Sequence, residues 1–189
     1  MTETALDPIL SKTRFFLAPR IGALLIFSLA VAASVFLSLT SSTPDYARAT
    51  YSIWPALILG GWAIWLWVWG HPEFKTPLWK FTWLLGFLGY AIHFYFAMQT
   101  VFAWNIASVF AAQGAVVTIA NLLLLVVWFL SVVMAYLGFR FPYLHRFAML
   151  LFIAAAVAST LLFAQETLSY LAGIAIVASW LSALLLRRV

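Results

Sequence analysis

The chain of 189 residues is 66% hydrophobic and 8% charged, whereas globular proteins are about a quarter charged. This composition excludes a soluble fold. It predicts a single all-α polytopic membrane helical bundle. The net charge of +5 comes from basic residues placed singly or in pairs at helix ends, which favours lipid headgroups as partners and excludes nucleic acid. The chain contains no cysteine, which excludes disulfides, thiolate metal sites and cysteine nucleophiles.

The N-terminal segment, residues 1–20, mixes apolar and basic side chains in its second half. This pattern predicts a short interfacial helix that lies on the membrane before the first span, with a frayed basic flank as the alternative. Glu3 and Asp7 occupy the part of the segment that would be basic in a signal peptide, so we expect it to be retained. The remainder, 21–189, is predicted to form a single transmembrane domain.

Six apolar stretches have the ~17–25 residues that a helix needs to cross the hydrocarbon layer. They run over 21–40, 53–70, 78–102, 115–138, 144–163 and 167–186. The connection SSTPDYAR at 41–48 is rich in turn residues and predicts a loop. Thr76 before Pro77 is typical of a helix start. Gly138 and Pro142 bracket the break between the fourth and fifth spans.

The basic residues of the connections are distributed very unequally between the two sides of the membrane. Arg48 is alone on the outer side, and nine Lys and Arg residues lie on the inner side when the N-terminus is placed inside. The inner residues are Lys12, Arg14, Arg20, Lys75, Lys80, Arg140, Arg146, Arg187 and Arg188. The positive-inside rule therefore predicts that both termini are cytoplasmic, an N-in/C-in topology.

His93 is the ionisable side chain that lies deepest in a predicted span. At 1.5 Å per helical residue it is roughly 21 Å from the inner face, and Asn121 is roughly 9 Å from the outer face, which is the same level. Ser34, Ser159 and Thr160 fall near that level too. Because polar groups in hydrocarbon turn inward to find partners, these five residues predict a polar layer in the outer third of the bundle.

The helix face that carries His93 is lined by small residues. Its other members are Gly86, Gly89, Tyr90, Ala97 and Thr100. Such a face allows another helix or a flat macrocycle to approach closely, so two interpretations stay open. The first is ordinary packing against another helix. The second is a cofactor site, in which His93 is the axial ligand of haem or of a chlorophyll-type pigment.

The remaining chemistry is sparse. His71 and His145 fall at the inner boundary, where we interpret them as wet residues, with a two-histidine ligand pair as the alternative. The central part of each span lacks acidic and basic residues. The carboxylate side chains that proton- or sodium-coupled transporters usually place within the membrane are therefore missing. A serine–histidine–acid set, a phosphate loop and an HExxH motif are also missing from the sequence. We therefore predict no catalytic residue and no metal site.

The stretch WLLGFLGYAIHFYFAMQTVFAWN, followed by VVWFL and HRFAMLLFI, resembles a poorly characterised family of bacterial six-helix integral membrane proteins. The residues that match its pattern are Gly86, Tyr90, His93, Phe94, Phe96, Ala97, Trp104 and Trp128. The W-S-H step of that pattern reads Trp104-Asn105-Ile106 here, so its second histidine is replaced. The resemblance implies the six-helix architecture and a bacterial inner (cytoplasmic) membrane location, without a particular activity.

Three functions fit the sequence. The first is a non-catalytic accessory or structural subunit of a larger bacterial membrane complex, with other membrane subunits as partners. The second is a haem- or pigment-binding electron-transfer protein that uses His93. The third is an uncoupled channel or carrier for small solutes, with a pocket at the polar layer around Asn121 and Ser159. Short connections and small-residue helix faces favour the first.

Overall fold

The structure is a computed structural model that describes residues 7–69, 76–139, 141–158, 171, 173–178 and 180–181, with side chains from residue 17 onward. All regular structure in these ranges is helical. The helices are α1 (Asp7–Leu39), α2 (Pro44–Tyr51), α3 (Trp54–Trp69), α4 (Pro77–Phe96), α5 (Ile106–Leu137) and α6 (Pro142–Val157). A π-helical turn, Ala97–Val101, extends α4.

Four segments of the described chain are helical, long and apolar enough to cross a membrane. They are Leu17–Leu39, Pro44–Trp69, Pro77–Val101 and Ile106–Leu137. Helix α6 is a shorter apolar helix over its described length. These five segments follow the first five predicted spans in order. Most of the sixth, 167–186, lies outside the described residues, but 173–178 within it is helical.

Helix α1 is one continuous helix from Asp7 to Leu39. The predicted interfacial segment and the first span are therefore continuous in the backbone, with no break at residue 20. Pro19 lies inside the helix and removes one backbone hydrogen bond, a defect that long helices accommodate by bending.

Local signals placed three helix ends correctly. The Thr76 side chain accepts a hydrogen bond from the backbone N–H of Trp79 at 3.2 Å, and Pro77 follows in the first turn of α4. Gly138 ends α5 in the left-handed conformation, with φ of 79°. Pro142 then opens α6. These ends use the cap, proline and glycine positions that helix termini favour.

The loop predicted at 41–48 is wrong in its second half. Pro44 begins α2, with Asp45 in the first turn and Arg48 in the last. Proline at the first helical position and charges of these signs at the two ends stabilise a short helix. Only Ser52 and Ile53 separate α2 from α3, so the two helices form one apolar segment.

The fourth span also begins earlier than the predicted residue 115. The Asn105 side chain caps α5 by accepting hydrogen bonds from the backbone N–H groups of Ala107 and Ser108. The helix then kinks at Gly114, where φ is 77° and ψ is 162°. This region of backbone space is open essentially to glycine alone, so the start predicted at residue 115 coincides with a kink inside a longer helix.

Helices α3 and α4 approach each other through glycines. A Cβ atom built on Gly86 would lie 2.7 Å from the backbone nitrogen of Gly60, and one on Gly89 would lie 2.6 Å from that of Ala56. The helix-packing interpretation of this small-residue face is therefore confirmed at Gly86 and Gly89. Next to the contact lies a core of large buried rings: Trp79, Trp83, Tyr90, Trp128, Phe152 and Trp180.

Candidate functional site

A chain of three buried polar side chains joins α4, α5 and α6. The indole Nε1 of Trp83 donates a hydrogen bond to Ser131 Oγ at 3.0 Å, and Ser131 Oγ lies 2.8 Å from Nδ1 of His145. Trp83 and Ser131 are completely buried, and His145 is 6% exposed. We call these three residues the inner relay.

The direction of the hydrogen bonds in the inner relay follows from the donors available. An indole N–H can only donate, so Ser131 accepts from Trp83. The Ser131 hydroxyl has one hydrogen of its own to donate. Among the described residues, the acceptor within reach of this hydrogen is Nδ1 of His145. A buried hydroxyl donor is costly to leave unpaired. Ser131 therefore donates to Nδ1, which places the ring proton of neutral His145 on Nε2.

Aromatic rings enclose the inner relay. The imidazole of His145 meets the rings of Trp67 and Trp79 edge-on, with centroids 5.9 and 5.4 Å apart. Trp83 contacts Trp128 at 4.6 Å between centroids. The indole N–H groups of Trp79 and Trp128 are buried and have no hydrogen-bond acceptor among the described residues. Among the described residues, Trp83 is therefore hydrogen-bonded at its indole nitrogen, whereas its ring neighbours Trp79 and Trp128 are not.

The interpretation of His145 as a wet residue at the membrane boundary is wrong. His145 lies in the first turns of α6, as the sequence places it. Its partner Ser131, however, is on α5, and Trp83 reaches the same point from α4. The second member of the alternative histidine pair, His71, lies outside the described residues.

A second polar cluster fastens α2 to the bundle. Nδ1 of His93 donates to the carbonyl oxygen of Ala49 at 2.8 Å, and Ser52 Oγ lies 3.4 Å from the same nitrogen. Ser34 Oγ lies 2.8 Å from the carbonyl oxygen of Tyr51. The last carbonyls of a helix lack partners within it, so α1 and α4 supply donors to the end of α2. We call this group the α2 anchor.

The other predicted polar residues do not join His93 directly. Asn121 accepts a hydrogen bond from the Tyr90 hydroxyl through its backbone oxygen, at 3.1 Å. Its side-chain nitrogen donates to Gln113 at 3.3 Å on an exposed surface. Tyr90 lies about one turn of α4 from His93. Ser159 and Thr160 lie outside the described residues.

The surroundings of His93 do not fit a macrocycle. The small-residue face that would receive it is occupied by α3, whose backbone reaches Gly86 and Gly89. The cleft nearest to the α2 anchor, lined in part by Ser34, Arg48 and Ser52, has a volume of about 10 Å³. That is the lower limit for a single water molecule. Among the described residues, three or more metal-ligating side chains do not gather anywhere.

No family model, curated protein or solved structure matches the chain.

Proposed function

We propose that the protein is a non-catalytic accessory subunit of a larger complex in the bacterial inner membrane. It spans the membrane six times and has both termini in the cytoplasm. The observation that carries the proposal is the use made of its polar groups. His93 donates to a backbone carbonyl of α2, the Ser34 hydroxyl lies within hydrogen-bond distance of one carbonyl of α1 and one of α2, and Tyr90 donates to the backbone of α5. These groups hold helices together.

The close contact of α3 and α4 supports the same function. Glycines bring the two helix backbones together, and buried rings fill the space beside them. Close small-residue contacts with interdigitated rings give a rigid helix pair, because tightly packed interiors deform little. A rigid pair suits a subunit that positions its neighbours.

Long exposed apolar faces supply the surface that such a subunit needs. On one face of α5, exposed apolar residues recur at helical spacing from residue 116 to residue 130. Its members are Val116, Ile119, Leu123, Val126 and Leu130. Lipid covers such a face in a solitary protein, and a neighbouring subunit covers part of it in a complex.

Purification from the native membrane in a mild detergent tests the proposal. We expect the protein to run with defined partners at a fixed ratio, and the isolated chain to show no visible absorption band. A band that disappears in His93→Ala would establish the cofactor alternative instead. A colourless protein that runs alone would contradict the proposal and make solute flux in liposomes the next assay.

A further inference from the structure

A groove lies between α3 and the described part of the sixth span, 173–178 and 180–181. Its volume is about 510 Å³, which is within the range of sites that hold a small organic molecule. Its lining includes Ile58, Gly61, Trp62 and Trp65 from α3 and Ile176 and Trp180 from the sixth span. We call it the indole groove, and we propose that it binds one neutral, membrane-soluble molecule of the quinone class.

One polar group at the indole groove lacks a partner. The side chain of Trp180 is only 8% exposed, and its Nε1 would lie 3.7 Å from a Cβ atom added to Gly61, another lining residue. The N–H of Trp180 has no hydrogen-bond acceptor among the described residues. A buried donor is costly to leave unpaired. A ligand that brings an acceptor to this nitrogen removes that cost.

The chemistry of the lining selects the class of ligand. Among the described residues, the side chains of the indole groove offer three N–H donors, from Trp62, Trp65 and Trp180, and neither a charge nor a hydrogen-bond acceptor. A charged ligand would therefore lack a counter-ion, and a ligand with hydroxyl groups would leave their hydrogens unpaired. A neutral molecule that only accepts hydrogen bonds avoids both costs. Quinones fit this description, because the ring carries carbonyl oxygens and no donor.

The depth of the groove argues against a phospholipid as the source of the carbonyl. Gly61 lies near the middle of α3, Trp54–Trp69, roughly 11 Å from either end at about 1.5 Å per residue. The hydrocarbon layer is about 30 Å thick, and the ester carbonyls of phospholipids lie at its edges. A quinone dissolves in the hydrocarbon and can bring its ring carbonyls to the level of Gly61.

The indole groove is open to lipid along its rim. Ile58 and Trp65 are 44% and 41% exposed there, so a ligand can enter from the bilayer without passing through the core. The indole rings give the groove flat walls, and aromatic rings pack well against a flat aromatic or conjugated occupant. The apolar tail of a quinone would then extend from the rim into lipid.

Fluorescence quenching tests the site on the isolated chain in dodecyl maltoside micelles, with decylubiquinone as the probe. The chain lacks cysteine, so Leu181→Cys, next to Trp180 and 54% exposed, accepts a single bimane label. Leu150→Cys on α6, where Leu150 is 63% exposed, carries the control label. We expect quenching at position 181 to saturate at one quinone per chain. Quenching at position 150 should rise linearly, because it reports only quinone dissolved in the micelle.

Two variants of the groove assign the signal in protein labelled at position 181. Ile58→Trp fills the groove from its exposed rim and should abolish the saturable quenching. Trp180→Phe keeps a ring but removes the N–H, so the affinity should fall roughly three- to tenfold, the loss expected for one neutral hydrogen bond. Trp104 is 57% exposed and lies outside the groove, so Trp104→Phe should leave the affinity unchanged.

The proposal is overturned if quenching at position 181 is linear, like that at position 150, or if Ile58→Trp and Trp180→Phe both leave it unchanged. It is also overturned if the quinone is displaced at equal concentration by decylbenzene, which has the same tail and no carbonyl, or by methyl laurate, which carries an ester carbonyl. Ile58→Trp carries the test if Trp180→Phe fails to fold, because Ile58 lies at the exposed rim. The measurement needs no partner subunit, so its outcome is independent of the accessory-subunit proposal.

Discussion

Substitution of Gly86 by alanine is the sharpest test of the fold. The added Cβ would lie 2.7 Å from the backbone nitrogen of Gly60 and 2.9 Å from its Cα. Both atoms belong to the backbone of α3, so the clash is relieved only if the helices separate. Overpacking costs about 1–3 kcal/mol, and the better helix propensity of alanine returns about 1 kcal/mol. We expect a net loss of up to about 2 kcal/mol in the free energy of unfolding.

Two other glycines serve as matched controls. A Cβ on Gly22 would meet nothing within 4 Å, so Gly22→Ala should gain up to about 1 kcal/mol from helix propensity alone. A Cβ on Gly60 would lie 2.8 Å from the tip of the Phe152 ring. A ring tip can shift, so Gly60→Ala should fall between Gly22→Ala and Gly86→Ala.

Unfolding by sodium dodecyl sulfate in mixed micelles, followed by tryptophan fluorescence, measures all three variants in one assay. The reasoning is refuted if Gly86→Ala is as stable as Gly22→Ala. It is also refuted if Gly60→Ala is the most damaging of the three, because the close approach of the α3 and α4 backbones would then not set the order.

Three further predictions concern the α2 anchor, the α5 kink and the topology. His93→Leu removes one of the two donors to the Ala49 carbonyl, the other being the Ser52 hydroxyl at 3.0 Å, and should cost about 0.5–1.5 kcal/mol in the same unfolding assay. Unchanged stability would contradict the anchor. Gly114→Ala should cost about 1–3 kcal/mol because only glycine readily adopts its backbone conformation. Gly138→Asn, at a left-handed helix end, should be close to neutral, and equal losses would be evidence against the kink. An impermeant maleimide should label Tyr46→Cys in intact cells and Tyr143→Cys only after permeabilisation, and the reverse pattern would invert the topology.

The sequence predicted those parts of the fold that depend on local chemistry. Apolar length identified the spans, and Thr76, Pro77 and Gly138 marked helix ends because caps and backbone restrictions act within a few residues. The same kind of signal misled at Pro44, because a proline can open a helix as well as sit in a turn. The start of the fourth span at residue 115 was also wrong, because α5 continues through a kink at Gly114.

The inner relay was not predicted because its members meet only through tertiary structure. Ser131 is 48 residues from Trp83 and 14 from His145 along the chain. Depth estimates place a residue along the membrane normal but do not tell which helices touch. His145 lies near a helix end, and that position alone suggested water. One signal was present: Trp83 lies near the inner end of the third predicted span, 78–102, and His145 near the inner end of the fifth, 144–163.

The α2 anchor was predicted in part. Depth placed Ser34 and His93 at one level, and both side chains contact the end of α2. Their partners were missed because Ala49 and Tyr51 contribute backbone carbonyls. Every residue has a backbone carbonyl, so the side chains at these positions give no sign of the contact. A loop in place of α2 gave no reason to expect unpaired helix-terminal carbonyls there.

Photo-crosslinking in the native membrane tests the central proposal most directly, because it precedes any detergent. Benzoylphenylalanine would be introduced one position at a time at Val116, Val126 and Leu150, which are 83%, 55% and 63% exposed, with Trp128, which is fully buried, as the control position. An accessory subunit should give a discrete crosslinked protein band from at least one exposed position and none from Trp128. Crosslinks to lipid alone at every exposed position would contradict the accessory-subunit account.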